Sequence, residues 1–301
     1  MEPIRHYNDL SDAEKHQLIA FFEAHKGPWL PKTPEEVHRY LTLDDLDHGR
    51  RFFSYWAEGR PLACLGLILA ALQRKGEVYL IGAALVDTPA SAEAFKVLLG
   101  HCNRLAREAG AGPLTSRLGL GPRLAFAEPL AAQAGYTLHE TMLHLALQDR
   151  PRLMAKAVPA LTPAPLSEST LEAYLQLHND AFAEVPNGGT TTQEALRAWL
   201  AEDHPDEWRG LLSHGPRPVA FYELTQAGST GMIEAIGVAP AEQGQGYGRA
   251  ALQAAVTLLE AKGAKEIELL VMDSNRPAYE LYLKAGFGEK GVHNRWFRRG
   301  L

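Results

Sequence analysis

Hydrophobic positions change their period near residue 240, from that of a buried strand to that of an amphipathic helix. Residues 232–238 are apolar apart from Glu234, and Pro240 ends the run because proline cannot extend a strand ladder. Five apolar residues then recur at helical spacing: Leu252, Ala255, Val256, Leu258 and Leu259. Gly263 follows as a C-terminal stop, so the pattern predicts a strand and then a helix with one face in the core.

The loop between this strand and this helix carries almost no side-chain bulk. Gly244, Gly246 and Gly248 alternate in it, and glycine allows the backbone to approach a ligand closely. The first N–H groups of a helix have no intrahelical partners, and the helix dipole favours a negative charge there by about 0.3–1 kcal/mol. The loop therefore predicts a binding site for a pyrophosphate.

Two common nucleotide-binding turns do not fit this spacing. A P-loop closes with Gly-Lys-Ser or Gly-Lys-Thr, whereas Gly248 is followed by Arg249 and Ala250. A dinucleotide fold carries Gly-x-Gly-x-x-Gly near its first strand, whereas this Gly-x-Gly-x-Gly motif lies late in the chain. The sequence therefore argues against both classes.

The loop instead resembles the acyl-CoA loop of the GNAT superfamily of N-acyltransferases. The pattern of that loop is Gln or Arg, two residues, Gly, one residue, and Gly or Ala, which Gln243, Gly246 and Gly248 match. The next block of the family is also similar: residues 266–272 read as a buried strand, and residues 273–287 as a turn, a short helix and an exit through Gly-Phe. The two blocks have about the spacing of the family.

This resemblance implies that the loop binds acetyl-CoA as a co-substrate, with Asn275 as a further contact. A backbone N–H near Val238 would polarise the thioester carbonyl. The residues that the resemblance implies for cofactor binding are Ile236, Gly237, Val238, Gln243, Gly244, Gln245, Gly246, Tyr247, Gly248, Arg249 and Asn275.

Glu234 is the candidate general base. An amine with a pKa of about 10.4 is almost entirely protonated at pH 7, so a base or a desolvated cleft is useful. Strand alternation predicts that Glu234 shares a face with Met232, Ile236 and Val238, beside the expected thioester. A carboxylate that only bonds nearby backbone is an equal alternative. Some GNAT members carry their base at the position of Met232, and Glu223 in the preceding strand is a weaker substitute.

Tyr282 is the candidate general acid, because the resemblance places it near the thioester sulfur. The pKa of a tyrosine hydroxyl is about 10 and that of a thiol about 8.5, so proton donation is uphill by roughly 1.5 units. A positioned hydrogen bond can offset this difference. In the alternative interpretation Tyr282 only packs on a helix face with Tyr279 and Leu283.

Equal offsets between landmarks indicate an internal repeat. Three pairs of residues are each 151 positions apart: Pro89 and Pro240, Gly112 and Gly263, Gly135 and Gly286. At this offset Gln243, Gly246, Gly248 and Tyr282 fall on Ala92, Phe95, Val97 and Ala131. The first copy is therefore expected to keep the scaffold without the cofactor loop and to begin a helix at residues 88–99, with Ser91 as its N-cap. Support, shaping of a substrate cleft and weak ligand binding all stay open as its role.

Length and repeat together predict two tandem domains. The resemblance implies that the protein is α/β and that each domain is GNAT-like, a mixed, mostly antiparallel sheet flanked by helices. A proline-rich stretch near the middle predicts the boundaries: a degenerate domain at 1–150, an extended linker at 151–165 and the acyltransferase domain at 166–301. The tandem arrangement resembles that of mycothiol synthase and its relatives. Residues 177–183 and 186–190 resemble a stretch that covers the acceptor in that family.

Composition narrows the class of partner. A net charge of −6 gives no electrostatic reason to expect nucleic acid. Cys64 and Cys102 lie in apolar contexts, which predicts core thiols in a reducing compartment. The apolar run at 62–72 is far shorter than the ~20 residues of a membrane helix, and the N-terminus lacks a signal pattern. A cytoplasmic protein without a membrane partner is expected.

Two further patterns have ordinary interpretations. His139 and His144 are five residues apart in a predicted strand and face opposite ways, so no metal site is expected. Residues 295–299 combine arginines with aromatics at the end of a predicted edge strand, where they are expected to protect that edge rather than bind nucleic acid.

The sequence thus predicts an N-acetyltransferase that moves an acetyl group from acetyl-CoA to a primary amine of a small molecule or a peptide end. In this hypothesis Glu234 is the base and Tyr282 the acid. A non-catalytic acyl-CoA-binding or scaffold protein is the alternative, in which both side chains only pack.

Overall fold

A computed structural model of the protein describes residues 3–26, 33–110, 112–183, 185 and 189–301. The chain forms two compact units: Met1–Met142 with Val292–Leu301, and Leu143–Gly291. The division between these units does not fall at the predicted boundaries, 150 and 165. The last ten residues of the chain belong to the first unit. The assignment of residues 1–150, 151–165 and 166–301 to domains and a linker stays a prediction.

The first unit is built around a long helix and a mixed sheet. Its elements are β1 (Ile4–His6), α1 (Asp12–His25), α2 (Pro34–Leu41), β2 (Phe52–Ala57), β3 (Arg60–Ile68), α3 (Leu72–Lys75), β4 (Glu77–Leu85), α4 (Pro89–Ala109), β5 (Thr115–Leu120), α5 (Glu128–Gln133) and most of β6 (Thr137–Leu147).

The second unit repeats this plan. It contains the end of β6 and then α6 (Arg150–Met154), β7 (Thr162–Pro165), α7 (Leu171–Phe182), α8 (Gln193–Leu200), β8 (Glu207–His214), β9 (Arg217–Ala227), β10 (Thr230–Val238), α9 (Tyr247–Ala261), β11 (Glu266–Met272), α10 (Arg276–Lys284) and the start of β12 (Phe287–Gly300).

The sheet of the first unit runs in the order β1-β2-β3-β4-β5-β12-β6. Its β4 and β5 are parallel, whereas β1 to β4 pair antiparallel and the end of β12 pairs antiparallel with β5. The prediction of a mixed, mostly antiparallel sheet is confirmed. The prediction that residues 295–299 end an edge strand is wrong, because they lie between β5 and β6. Cys64 and Cys102 are buried free thiols, as predicted.

The sheet of the second unit runs in the order β6-β11-β10-β9-β8-β7, with β10 and β11 parallel. Helix α9 covers one face through Leu252, Val256 and Leu259, which are fully buried. Helices α7 and α8 cover the other face, where Tyr174 and Leu196 join one apolar cluster. The predicted linker is not extended throughout, since it contains α6 and the edge strand β7.

The predicted repeat is visible in the element bounds. Strands β5 and β11 begin 151 residues apart (266 − 115), helices α4 and α9 end 152 apart (261 − 109), and strands β6 and β12 begin 150 apart (287 − 137). The beginnings of α4 and α9 differ, because α4 starts directly at Pro89 whereas α9 starts after the glycine loop at Tyr247. The first unit therefore has a helix where the second has the loop, as predicted.

The N-cap of α4 is Thr88 and not Ser91, which corrects the sequence prediction. The Thr88 hydroxyl accepts a hydrogen bond from the backbone N–H of Ser91, at 3.3 Å. The Ser91 hydroxyl is buried without a hydrogen-bond partner. None of the helices in the described residues combines the length and apolar character needed to cross a bilayer.

Removal of the Thr88 hydroxyl and removal of the Ser91 hydroxyl, both at the start of α4, are expected to have opposite effects on stability. Thr88→Ala removes a cap and should lower the free energy of unfolding by about 1 kcal/mol. Ser91→Ala removes an unpaired buried hydroxyl and should leave the free energy unchanged or raise it. Urea denaturation of both variants measures the difference, and a larger loss for Ser91→Ala would contradict the cap assignment.

Candidate active site

One face of β9 is directed towards α7, and we call it the α7 face of the second unit. Phe221, Glu223 and Thr225 alternate along this side of the strand. The Phe221 ring packs edge-on against Tyr174 of α7, with ring centroids 5.6 Å apart. The Tyr174 hydroxyl also donates a hydrogen bond to Oε1 of Glu223, at 2.6 Å. The polar side chains of β9 are thus tied to the helix above them.

Strand β10 carries a β-bulge at Glu234, where its register with β9 shifts by one residue. Before the bulge Met232 lies opposite Thr225, and after it Ala235 lies opposite Glu223. Directly opposite residues share a face of the sheet, and an inserted residue reverses the alternation of the strand. Two successive residues, Glu234 and Ala235, are therefore on the α7 face.

The bulge separates residues that were predicted to share one face. The Thr225 hydroxyl donates to Oε1 of Glu234, at 2.8 Å, on the α7 face. Ile236 and Val238 instead pack against the core cluster beneath α9. The predicted common face of Met232, Glu234, Ile236 and Val238 is therefore wrong beyond residue 234.

Gly237 is the part of β10 that lies closest to α7. It lies opposite Phe221, and a Cβ added at this position would come within 2.4 Å of that ring and 2.9 Å of the Ala181 Cβ. A side chain would force the strand away from the helix. The glycine thus serves close packing here, in addition to the cofactor contact that the sequence predicts.

The end of β10 also separates from β11. Their parallel register runs from Thr230 opposite Glu266 to Ile233 opposite Leu269, and no further pairs occur in the described chain. Strand β10 nevertheless continues to Val238, paired with β9 alone. Because the two strands separate, the backbone groups of residues 235–238 that face β11 have no strand partner within the described ranges. The glycine loop begins directly after these residues.

The glycine loop lies on the surface of the protein. Gln243, Gly244, Gln245 and Gly246 are all exposed. Gly244 and Gly246 have positive φ angles of 78° and 89°, a backbone region that favours glycine, and Gly246 is the N-cap of the 15-residue helix α9. A Cβ at Gly244 would meet no atom within 4 Å. The backbone therefore has room for a ligand at the positive end of a helix.

The two glutamines of the loop bond the backbone that precedes them. Gln243 Nε2 donates to the Val238 carbonyl at 3.3 Å, and Gln245 Nε2 donates to the Ala241 carbonyl at 3.3 Å. Beneath them the buried carboxylate of Glu242 pairs with Arg217 of β9, with 2.9 Å between Oε1 and Nη1. Sequence reasoning missed this pair, which anchors the loop to the sheet.

The Arg249 side chain bonds backbone carbonyls of the protein, and its predicted cofactor contact stays a prediction. Its guanidinium donates to the carbonyls of Leu153, at 3.0 Å, and Lys284, at 3.2 Å, and also to that of Arg152. These carbonyls belong to the last turns of α6 and α10, where a cation complements the helix dipole. The side chain thus joins three elements of the second unit, while its backbone lies in the first turn of α9.

The remaining predicted residues lie where the helices begin and pack. Asn275 is the N-cap of α10 and accepts from the Ala278 N–H at 3.4 Å. Tyr282 is 8% exposed and belongs to the core cluster that Ile236, Val238 and Tyr247 also contact. Burial raises the pKa of the Tyr282 hydroxyl to about 12. The structure therefore groups Tyr282 with the end of β10 but on the face opposite to Glu234.

The carboxyl of Glu234 has an unusual environment for an exposed residue. Loss of hydration raises its pKa most, and the neighbouring carboxylates of Glu223 and Glu207 raise it further. The hydrogen bond from Thr225 acts in the opposite direction. The net result is a pKa above the usual range of glutamate, which suits a base that must accept a proton near neutral pH.

Glu223 is surrounded by hydrogen-bond donors and cations. Besides Tyr174, the Nε2 atom of His178 lies 3.6 Å from its Oε1, and Arg209 lies directly opposite it on β8. Burial lowers the pKa of His178, and Arg209 lowers it further, against the effect of Glu223. The i, i+4 spacing of Tyr174 and His178 on α7 is the signal that could have predicted this cluster.

A buried carboxylate, that of Glu268, lies on the same face of the sheet. Glu268 of β11 is opposite Met232 and accepts a hydrogen bond from His144 Nε2 at 2.7 Å, and Lys290 pairs with its other oxygen. Loss of hydration opposes ionisation of Glu268, but these two partners keep its pKa below the usual range. His144 is thus a partner of Glu268. In the described residues no group of three or more His, Cys, Asp or Glu side chains could hold a metal ion.

Comparison with known proteins places this site in context. Residues 171–287 match the family described as "Acetyltransferase (GNAT) family". The chain is 34% identical over 134 residues to a mycothiol acetyltransferase of Beutenbergia cavernae, a match that covers 43% of this chain and 45% of that relative. The chain thus spans about half the length of this curated relative.

Two solved structures share the fold of nearly the whole chain. A GCN5-related N-acetyltransferase from Sphaerobacter thermophilus superposes with a TM-score of 0.73 at 19% identity, over 99% of this chain and 95% of the other. A tandem GNAT protein from the clavulanic acid biosynthesis pathway superposes with a TM-score of 0.66 at 14% identity, over 99% and 97%. The predicted α/β fold with two GNAT-like units is confirmed. The loop at 186–190 lies partly outside the described residues, which omit 186–188.

The contacts of Arg249 predict a contribution to stability. Arg249→Ala leaves three backbone carbonyls without their charged donor and should lower the free energy of unfolding by roughly 1.5–3 kcal/mol. Arg197→Ala is the matched control, because its partner Glu168 and its own side chain are exposed, so it should cost little. Equal effects of both changes in urea denaturation would contradict this role.

Proposed function

Because residues 171–287 match the GNAT acetyltransferase family, we propose that this protein is an acyl-CoA-dependent N-acetyltransferase. It moves an acetyl group from acetyl-CoA to a primary amine of a small molecule or a peptide end. The observation that carries this proposal is the exposed glycine loop at the N-terminus of α9, directly after a strand that parts from its neighbour. This combination suits an elongated molecule that carries a pyrophosphate.

The backbone of the loop holds the phosphates of acetyl-CoA. Gly244 and Gly246 adopt conformations that favour glycine, so the N–H groups up to Gly248 are presented without side chains. Gln243, Gln245 and Tyr247 shape the loop, and the residues at the end of β10 and Asn275 complete the binding site. Arg249 contributes through its backbone, since its guanidinium bonds helix carbonyls.

Glu234 is the general base of the proposed reaction, and Glu223 is not. Glu234 is an exposed residue on the α7 face, and partial loss of hydration and the neighbouring carboxylates raise the pKa of its carboxyl. Glu223 already accepts a hydrogen bond from Tyr174, and His178 and Arg209 lie beside it on α7 and β8, so its carboxylate is less free than that of Glu234 to meet a substrate. A carboxylate with a raised pKa accepts a proton from an ammonium ion more readily.

Tyr282 is the proton donor on the other face of β10. Burial holds its pKa near 12, so the hydroxyl carries its proton throughout the neutral range. It can therefore donate a hydrogen bond to the thiolate that leaves when the acetyl group is transferred. The amine reaches the acetyl group from the α7 face, so base and acid act from opposite sides of the strand end.

The curated relative suggests the first acceptor to test. That relative is named a mycothiol acetyltransferase. The acidic groups of Glu207, Glu223 and Glu234 are compatible with an acceptor that arrives as a cation. We propose a small-molecule amine of the mycothiol type as one candidate in a panel that also contains polyamines and peptide N-termini.

Substitution of the loop glycine predicts loss of cofactor binding. Gly246→Val places a side chain in the anion site and strains a positive φ, so calorimetric titration with CoA should lose its single binding event. Gly228→Val is the matched control: its φ is also positive, at 61°, but it lies in the β9–β10 turn and should leave binding unchanged. Two equivalent CoA sites in the wild type would contradict the proposal that the first unit lacks the loop.

The catalytic roles predict distinct kinetic effects. Glu234→Gln and Tyr282→Phe should each lower kcat by about 10²–10⁴-fold in an assay of thiol release, because the first removes the proton acceptor and the second removes the hydroxyl that donates to the leaving thiolate. Tyr279→Phe, the same change on the same helix, should have little effect. Binding of acetyl-CoA without turnover by the wild type would favour the alternative of a non-catalytic binding module.

The raised pKa of Glu234 also predicts a pH dependence. The base acts only when it is ionised, so kcat/KM should fall as the pH decreases through a pKa above the usual value for glutamate. Measurement of kcat/KM from pH 4 to pH 9 tests this. The acidic limb should disappear in Glu234→Gln, and its persistence there would assign it to another group.

A further inference from the structure

We propose that Glu223 is a positioning residue that makes Glu234 a better proton acceptor for the acyl transfer. The proposal rests on the proposed function, in which Glu234 is the base. Its starting observation is that the two carboxylates lie on the same face at the bulge, where Glu223 is opposite Ala235, the residue that follows Glu234.

The carboxylate of Glu223 is held in place by two residues of one helix, α7. The Tyr174 hydroxyl donates to its Oε1 at 2.6 Å, and His178 Nε2 lies 3.6 Å from the same atom. Both residues belong to α7, and their rings pack on Phe221, with centroid distances of 5.6 and 4.8 Å. A carboxylate fixed in this way cannot turn away from its neighbour to relieve repulsion.

Glu234 is held beside it by Thr225. The hydroxyl of Thr225 donates to Oε1 of Glu234 at 2.8 Å, and Thr225 and Glu223 are alternate residues of β9 on the α7 face. The hydrogen bond favours the charged form of Glu234, whereas the charge of Glu223 disfavours it. The two neighbours on β9 therefore act on the same carboxyl in opposite directions.

Other titratable groups on the α7 face of the second unit also surround Glu234 and Glu223. Glu207 and Arg209 lie on β8. Tyr174 and His178 lie on α7. Glu268 lies on β11 opposite Met232, and its partners are His144 and Lys290. Glu207 also disfavours the charged form of Glu234. Glu268 pairs with Lys290 and accepts from His144, and it is not among the groups that act on Glu234. Of the two carboxylates that do, Glu223 lies opposite the residue that follows Glu234.

The bulge is what makes this arrangement possible. Regular alternation would place residues 234 and 235 on opposite faces, whereas the inserted residue keeps both on the side of Glu223. The first unit has no counterpart of this pair, since Ala83 occupies the position 151 residues before Glu234. Among the described residues, the pairing of Glu223 with Glu234 thus occurs in the second unit alone.

Two substitutions on β9 test the proposal by opposite shifts. Glu223→Gln keeps an oxygen for the Tyr174 hydrogen bond but removes the charge, so the acidic limb of kcat/KM should move to lower pH by roughly 0.5–1 unit. Thr225→Val removes the hydrogen bond and should move the limb to higher pH. A residue with a merely structural role would lower the rate without moving the limb. Glu223→Asp, which keeps the charge, should restore part of the wild-type profile.

A second readout does not require turnover. Carbon-13 NMR titration of glutamate-labelled protein, with the Glu234 signal assigned by its loss in Glu234→Gln, reports the ionisation of this carboxyl directly. It should show the same opposite shifts in the two variants. Glu172→Gln removes an equal charge from the exposed surface of α7 and should leave the Glu234 titration unchanged.

The outcomes separate this proposal from the proposed function. An unchanged or upward shift in Glu223→Gln, in either readout, would overturn the role of Glu223 even if the wild type acetylates an amine. Failure of the proposed function would instead appear as no thiol release by the wild type with any amine of the panel. The NMR titration would still report in that case whether Glu223 acts on Glu234.

Discussion

The β-bulge at Glu234 is the constraint on which the site depends. It turns Glu234 and Ala235 towards α7, and it returns Ile236 and Val238 to the core under α9. It lies where β10 leaves β11, so the strand end is bonded on one side and open on the other. One inserted residue thus divides the site into a face with charged side chains and a face with Tyr282.

The two units show what the shared scaffold does and does not require. In the first unit α4 begins directly at Pro89, and Ala83 and Ala131 lie where the second unit has Glu234 and Tyr282. The scaffold tolerates polar groups in its core instead: Ser116, Tyr136 and Asn103 form a buried hydrogen-bonded chain, with 2.7 and 2.8 Å between successive oxygens. The equivalent positions in the second unit are the apolar residues Ile267, Phe287 and Ala254. Fold and chemistry are therefore carried by different residues of the same framework.

Buried and bonded polar groups hold the proposed cofactor site from below. The Glu242–Arg217 pair ties the glycine loop to the sheet, and Arg249 ties the first turn of α9 to the ends of α6 and α10. Within the loop, the side chains of Glu242, Gln243 and Gln245 hold the backbone, so its glycines do not have to. This leaves its glycines bare, which an anion site of this kind requires.

The sequence by itself determined the strand, the glycine loop, the helix and the 151-residue repeat, because periodicity and turn chemistry are local properties of the chain. It also identified Glu234 and Tyr282 as chemically suitable residues. Only the tertiary structure decided that these two lie on opposite faces, that Thr88 rather than Ser91 caps α4, and that Arg249 bonds helix carbonyls. The opposite faces depend on a register shift and the Arg249 contacts on partners distant in sequence, and neither is encoded in the local pattern of hydrophobic and polar residues. The cap was open in the sequence because threonine and serine are both common N-cap residues.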